Sequence, residues 1–247
     1  LDEPRWAPNP TLRTTVCIGK GHTMEPVQGF DVQRMPLGLT ARELAQDEMI
    51  LRAAIEQDPT NVQNHLTLGK TYYWHGQIDE AIDSFQRALQ IDDRDPAAFY
   101  HLGICHFRAA RFTQAEKALA KAIALHPRFV MAHYWLGITA YHQGKYEEAL
   151  GCFETICRES PESMIAHYHA ALACMSMGNW ALVRQHLEIL RENGNTSTRV
   201  FLYLGRAYRR MNRPTEAIQV LRKGLSLYPR DELLKEALAE LTDVQDP

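Results

Sequence analysis

Over most of this chain, apolar residues recur at helical spacing in blocks separated by short polar turns. Two such stripes flank Gly76, two flank Gly144 and two flank Gly178, a pattern that predicts pairs of amphipathic helices. A further helix is predicted for "TARELAQDEMILRAAIEQDP" (40–59), with Thr40 as its N-cap and Glu43 completing a capping box. The stretch "DELLKEALAELTDVQ" (231–245) reads as a last amphipathic helix. It would turn Leu234, Leu238 and Leu241 inward and Glu236, Glu240 and Asp243 outward. Residues 1–39 break the pattern. Prolines at 4, 8, 10, 26 and 36 and glycines at 19, 21, 29 and 38 interrupt apolar anchors such as Met24 and Phe30, which predicts an extended arm.

The helical part repeats. Segments 65–89, 99–123, 133–157 and 201–225 align at an offset of 34 residues or twice that. Leu68, Leu102, Leu136 and Leu204 share a column, and Gly69, Gly103, Gly137 and Gly205 the next. Ala81, Ala115, Ala149 and Ala217 form another, and Phe85, Leu119, Phe153, Leu187 and Leu221 a large apolar one. Pro127, Pro161 and Pro229 close three copies, and Pro59 stands in phase ahead of the first. A degenerate copy, 167–190, carries Ala170 and Ala171 where the others have Leu-Gly. Glycine within a helix costs roughly 0.5–1 kcal/mol against alanine, so its recurrence points to two helix backbones in close approach.

Period, Leu-Gly pair, small alanine and closing proline together resemble the tetratricopeptide repeat (TPR) family. The resemblance implies an all-α fold: antiparallel helix pairs stacked into a right-handed superhelical α-solenoid, here with a terminal capping helix and an extended N-terminal arm. The expected organisation is an arm over 1–39 and a leading helix over 40–61, the second helix of a partial repeat. Five repeats follow (62–95, 96–129, 130–163, 164–197 and 198–231), then a capping helix and tail over 232–247. One helix pair cannot bury its apolar face alone, so stacking is obligatory.

Candidate chemistry is sparse. "TTVCIGKGHTMEP" (14–26) has the look of a reactive loop, but it lacks the G-x-x-x-x-G-K-[ST] spacing of a phosphate loop. Cys17 and His22 supply two ligands at most, so a metal or thiol site there is a minority reading. His65, His133 and His167 fall in a column shared with Phe99 and Phe201, which reads as packing. His101 and Cys105, four apart on one helix, could grip a metal, but the register supplies no third ligand. Cys152 and Cys157 read as small buried apolar residues. No cofactor is expected, and the chain is not expected to be an enzyme.

In the TPR family the first helix of each repeat lines the concave groove. On this sequence the groove set is Tyr73 and Trp74, then Tyr100, Phe107 and Arg108, then Tyr134, Tyr141 and His142, then Tyr168 and Met175, and finally Arg206, Arg209 and Arg210. Tyr100, Tyr134 and Tyr168 recur in one register, and Tyr73, Phe107 and Tyr141 in another. Such rows suit a protein or peptide partner, because tyrosine offers area and a polar tip at low entropic cost. Basic residues outnumber acids eight to one over 196–230, whereas acids outnumber bases eleven to five over 41–95. The partner expected is therefore apolar with an acidic end, bound by a non-enzymatic scaffold. The alternative is an assembly subunit, self-associating as a homo-oligomer through its polarised ends and arm. A net charge of −3 argues against nucleic acid, and no run of about 20 apolar residues is available to span a bilayer. Cysteines without a C-x-x-C pair lead to an expectation of the cytoplasm, with an exported mature chain as the alternative.

Overall fold

The structure, a computed structural model, describes residues 41–242. Twelve α-helices and no strand occur among the described residues, in two compact units that divide between Asp93 and Arg94. The first unit holds α1 (Ala41–Gln57), α2 (Val62–Trp74) and α3 (Ile78–Ile91). The second begins with α4 (Pro96–Arg108), α5 (Phe112–Leu125), α6 (Val130–His142) and α7 (Tyr146–Glu159). It continues with α8 (Met164–Ser176), α9 (Trp180–Glu192), α10 (Thr198–Arg210), α11 (Pro214–Leu227) and α12 (Glu232–Thr242). Within that unit each helix packs on the next in sequence, α4 also touches α6, and α12 rests on both α10 and α11. The arm 1–39, with Cys17 and His22, lies outside the described residues, as do Thr40, the side chain of Glu43, and Asp243.

Local chemistry starts and stops the helices. The Asn61 side chain accepts from the backbone N–H groups of Gln63 and Asn64, and Asp95 does the same for Ala97 ahead of Pro96 at the first helical position. Every first helix ends alike. The N–H groups of Gln77, Arg111, Lys145, Asn179 and Arg213 each reach back five residues to a carbonyl, at 2.8–2.9 Å. That bond needs a left-handed residue just before it. Gly76, Gly144 and Gly178 supply it without cost, while Ala110 (φ 57°) and Asn212 (φ 58°) adopt it with a side chain attached.

The glycine column and the large apolar column meet inside each pair. A Cβ at Gly69 would lie 2.8 Å from the Phe85 ring, one at Gly103 2.6 Å from Leu119, one at Gly137 2.8 Å from Phe153 and one at Gly205 2.8 Å from Leu221. Phe85, Leu119, Phe153 and Leu187 are fully buried. In the α8–α9 pair Ala171 takes the glycine's place and is itself buried. The ends differ. In the first unit the Tyr72 hydroxyl donates to Glu48 of α1 at 2.8 Å and accepts from Arg52 of α1 at 3.1 Å. Met49 and Ile50 of α1 stay exposed. On α12, Leu234 and Leu241 are buried and Leu238 packs beside them, while Glu236 and Glu240 face water.

Three glycine exchanges should separate these effects in urea unfolding. Gly137→Ala forces a methyl onto Phe153 and is expected to cost about 1–2 kcal/mol net of its helix-propensity gain. Gly151→Ala, at a helical site with nothing within 4 Å, should stabilise by roughly 0.5–1 kcal/mol. Ala110→Gly relieves a left-handed alanine and should stabilise by roughly 0.5–1 kcal/mol, read as a higher urea midpoint without a change in m.

Candidate functional site

The residues read as a groove divide between the two units. In the first, Tyr73 is half-buried and Trp74 exposed, their rings 5.4 Å apart edge to face. In the second, the two ring rows exist, but neighbouring helices use much of their surface. Tyr100 packs on Phe129 at 4.9 Å. Phe107 meets Trp135 and His142, both at 5.2 Å. Tyr134 is only 4% exposed, and its hydroxyl pairs with His169 Nε2 at 3.1 Å. The Tyr141 hydroxyl reaches Ser176 Oγ at 3.1 Å, and Tyr168 hydrogen-bonds Arg199 and Tyr203. Phe107–His142, Tyr134–His169, Tyr141–Ser176 and Tyr168–Tyr203 all span one repeat plus one residue. A side chain on a first helix thus leans onto the first helix of the next repeat. Arg108 and His142 are half-buried within this packing.

What stays accessible is a strip across α6, α8 and α10. Tyr141, Tyr168, Met175 and Tyr203 are half-buried, and Arg206, Arg209 and Arg210 are exposed at its α10 end. The arginines differ in engagement. Arg209 forms an ion pair with Glu240 of α12. Arg206 lies over the Tyr203 ring at 5.9 Å and Arg210 over Trp180 at 5.7 Å, a stacking that leaves the guanidinium edge open to a carboxylate.

Burial sets the electrostatics. It raises the phenols of Tyr134 and Tyr141 and pushes Tyr168 up to about 12, so all stay neutral donors. Burial, and then the charge His142 would carry, lowers His169 to about 4. His142 is lowered by burial alone. The site therefore has neutral imidazoles among its rings, and its fixed positive charge lies on α10. Of the pair read as a metal grip, Cys105 is fully buried and its thiol is pushed up to about 12 by burial, and His101 packs against the Tyr100 ring at 5.1 Å.

The histidine column does more than pack. His65 Nε2 donates to the Pro59 carbonyl at 3.1 Å, His133 to Pro127 at 2.8 Å and His167 to Pro161 at 2.8 Å. Six residues before Phe99 and Phe201 stand Asp93 and Asn195 instead. Histidine thus occurs in this column where a closing proline precedes it by six, and phenylalanine where none does. That coincidence was readable in the sequence, but only as paired columns.

His169 should make the fold acid-sensitive. Its folded pKa lies below the ordinary 6.5, so the unfolded chain binds the proton first and stability falls as pH drops from about 6.5 towards about 4. The loss is on the order of 2–3 kcal/mol for this one group. His169→Gln, which keeps a polar partner for Tyr134, should be less stable at pH 7 yet show a flatter pH slope over that window in urea melts.

Comparison with known proteins agrees with this architecture. Residues 32–164, just over half of the chain, match the model of the cytochrome c-type biogenesis protein H TPR domain. Residues 139–197 and 198–241 match two models of the tetratricopeptide repeat. No curated protein matches the sequence. Among solved structures the fold is similar to YrrB, described as a TPR protein with an unusual peptide-binding site. The TM-score is 0.68 at 16% identity, over 76% of this chain and 96% of that one. It is also similar to pilF of Pseudomonas aeruginosa (TM-score 0.63, 21% identity, 81% and 90% covered). A third is PilW, a type IV pilus biogenesis factor (TM-score 0.62, 19% identity, 80% and 91% covered). At these identities the likeness is one of fold. The period of 34, the Gly-to-apolar contact in each regular pair and the family matches together assign the chain to the tetratricopeptide repeat proteins, in the family of the cytochrome c-type biogenesis protein H TPR domain.

Proposed function

We propose that this chain is a non-enzymatic scaffold that holds an extended segment of a partner protein along α6, α8 and α10. The observation that carries the reading is the accessible strip itself. Tyr141, Tyr168 and Tyr203 present half-buried rings, the hydroxyls of Tyr141 and Tyr168 stay neutral, Met175 is half-buried like them, and the strip ends in exposed arginines. Tyrosine and methionine adapt to varied apolar side chains. Arg206 and Arg210 suit a carboxylate at one end of the segment, and the engaged Arg209 contributes less. Tyr134 supports the strip from beneath, since little of it is exposed. Tyr73 and Trp74 belong to the first unit and would act there. The family match supports a partner among the components of cytochrome c-type assembly.

A second reading is an assembly subunit. It is favoured by Met49 and Ile50, 65% and 57% exposed on α1, an apolar face of the kind that marks association. Light scattering distinguishes it: a mass above one chain that Met49→Ser/Ile50→Ser returns to one chain supports assembly, and a concentration-independent monomer sinks it.

The scaffold reading is tested by photocrosslinking from Met175 and from Lys121 on α5 in cells. A partner adduct is expected at 175 and not at 121. Arg206→Glu/Arg210→Glu should weaken capture by about tenfold or more, as charge reversal opposes an acidic partner, with an unchanged circular dichroism spectrum. Equal adducts at both positions, or full capture by the double variant, would defeat the proposal.

A further inference from the structure

One junction departs from the repeat in a way packing does not require. Cys157 lies in the last turn of α7, His167 in the first turn of α8 and His186 midway along α9. In the register of 34, the position of Cys157 is held by Ile55, Leu89, Ile123 and Leu225, and by Arg191 in the degenerate copy. That of His186 is held by Ser84, Ala118, Cys152 and Val220 in the other repeats and by Ile50 in α1. Cys157 alone brings a thiol to its column and His186 alone an imidazole to its own, and the two meet in space. The ligand atoms of Cys157, His167 and His186 all lie within 4.8 Å of one another. No other such group of three among the described residues is this close.

The hydrogen bonds define the state of the rings. His167 Nε2 donates to the Pro161 carbonyl at 2.8 Å, so its Nδ1 carries a lone pair. That Nδ1 faces His186 Nδ1 at 2.9 Å, and the two share one proton. His186 is 6% exposed, and its Nε2 is buried with no hydrogen-bond partner. Two buried imidazoles therefore rely on one shared proton, with one ring nitrogen unanswered, an arrangement that costs stability. A cation between the two Nδ1 atoms would use both lone pairs. Pro161 already plays the supporting part, fixing the tautomer of His167 from the far side of the ring. A tetrahedral ion with bonds of about 2.0–2.1 Å needs its nitrogens roughly 3.3 Å apart, so the rings must open by only a few tenths of an ångström.

The geometry points to a metal site at the α7–α8–α9 junction, in which Cys157 Sγ and one nitrogen each of His167 and His186 bind a zinc-class divalent ion. Thiolate with two imidazoles favours zinc and its late first-row neighbours over magnesium or calcium. Burial lowers His186 to about 4, with His167 adding to the effect, so the His186 ring is neutral and ready to ligate. Burial raises the Cys157 thiol to about 11, so binding must release its proton to solvent. Cys157 is half-buried, which leaves a fourth position open to water. The ion would tie together three helices around the pair that lacks the Leu-Gly contact.

Cobalt(II) titration of the full chain tests the site. One equivalent should give a near-ultraviolet thiolate-to-cobalt band and the intense visible bands of a tetrahedral ion, both displaced by zinc. Cys157→Ser should lose the near-ultraviolet band, and affinity should fall at least about tenfold, the scale seen even for supporting residues. His186→Gln should weaken binding similarly. Cys17→Ser should change nothing. Zinc should also raise the thermal midpoint of the unaltered chain and not that of Cys157→Ser, whose metal-free fold is checked by circular dichroism. A band that survives Cys157→Ser and disappears with Cys17→Ser would assign the ion to the N-terminal stretch and overturn the inference. Equal affinity in all the chains would overturn it too.

Discussion

The contact between a helical glycine and the large apolar side chain of the following helix underlies this architecture. Each missing Cβ lets Phe85, Leu119, Phe153 or Leu221 lie directly on the first helix of its pair. The two backbones approach, the apolar stripes close over one another, and the left-handed turn fixes the angle at which the second helix returns. Ala171 shows how far the rule bends: a methyl is admitted in the α8–α9 pair, where Leu187 is still fully buried.

Regular helix pairs leave the first helices side by side, and their facing residues must then pack, bond or meet solvent. Most do the first two. Rings at Phe107, Tyr134, Tyr141 and Tyr168 lean one repeat forward and find a partner 35 residues on. A face that would otherwise be loosely apolar becomes a tied surface whose remaining accessible edge is narrow, aromatic and bordered by arginine. Such preorganisation lowers the entropy lost when a segment is held there. The same tying makes the imidazoles within it sensitive to acid, because a neutral buried ring must charge for the fold to take up protons.

Departures from the repeat carry the individuality of the chain. His65, His133 and His167 depart from the phenylalanine of their column and recover a proline carbonyl. Cys157 and His186 depart from what their columns hold in the other copies and gain each other and His167. A repeat protein provides its own baseline, since four other copies state what packing alone selects at any position.

Period, helix pairing, the turn residues and the glycine contact were all legible in the sequence, because they depend on spacing along one chain and recur. Burial of individual rings was not. Tyr100 and Tyr134 occupy one register, yet the second is nearly inaccessible, because His169 stands across from it and nothing in its own column announces that. Arg206, Arg209 and Arg210 read alike, and only packing separates the one joined to Glu240 from the two lying over rings. Cys157, His167 and His186 are each unremarkable in sequence and come from three different helices. Local periodicity determines which face a residue occupies. What lies opposite it is decided by side chains from other helices, and only tertiary structure brings those together.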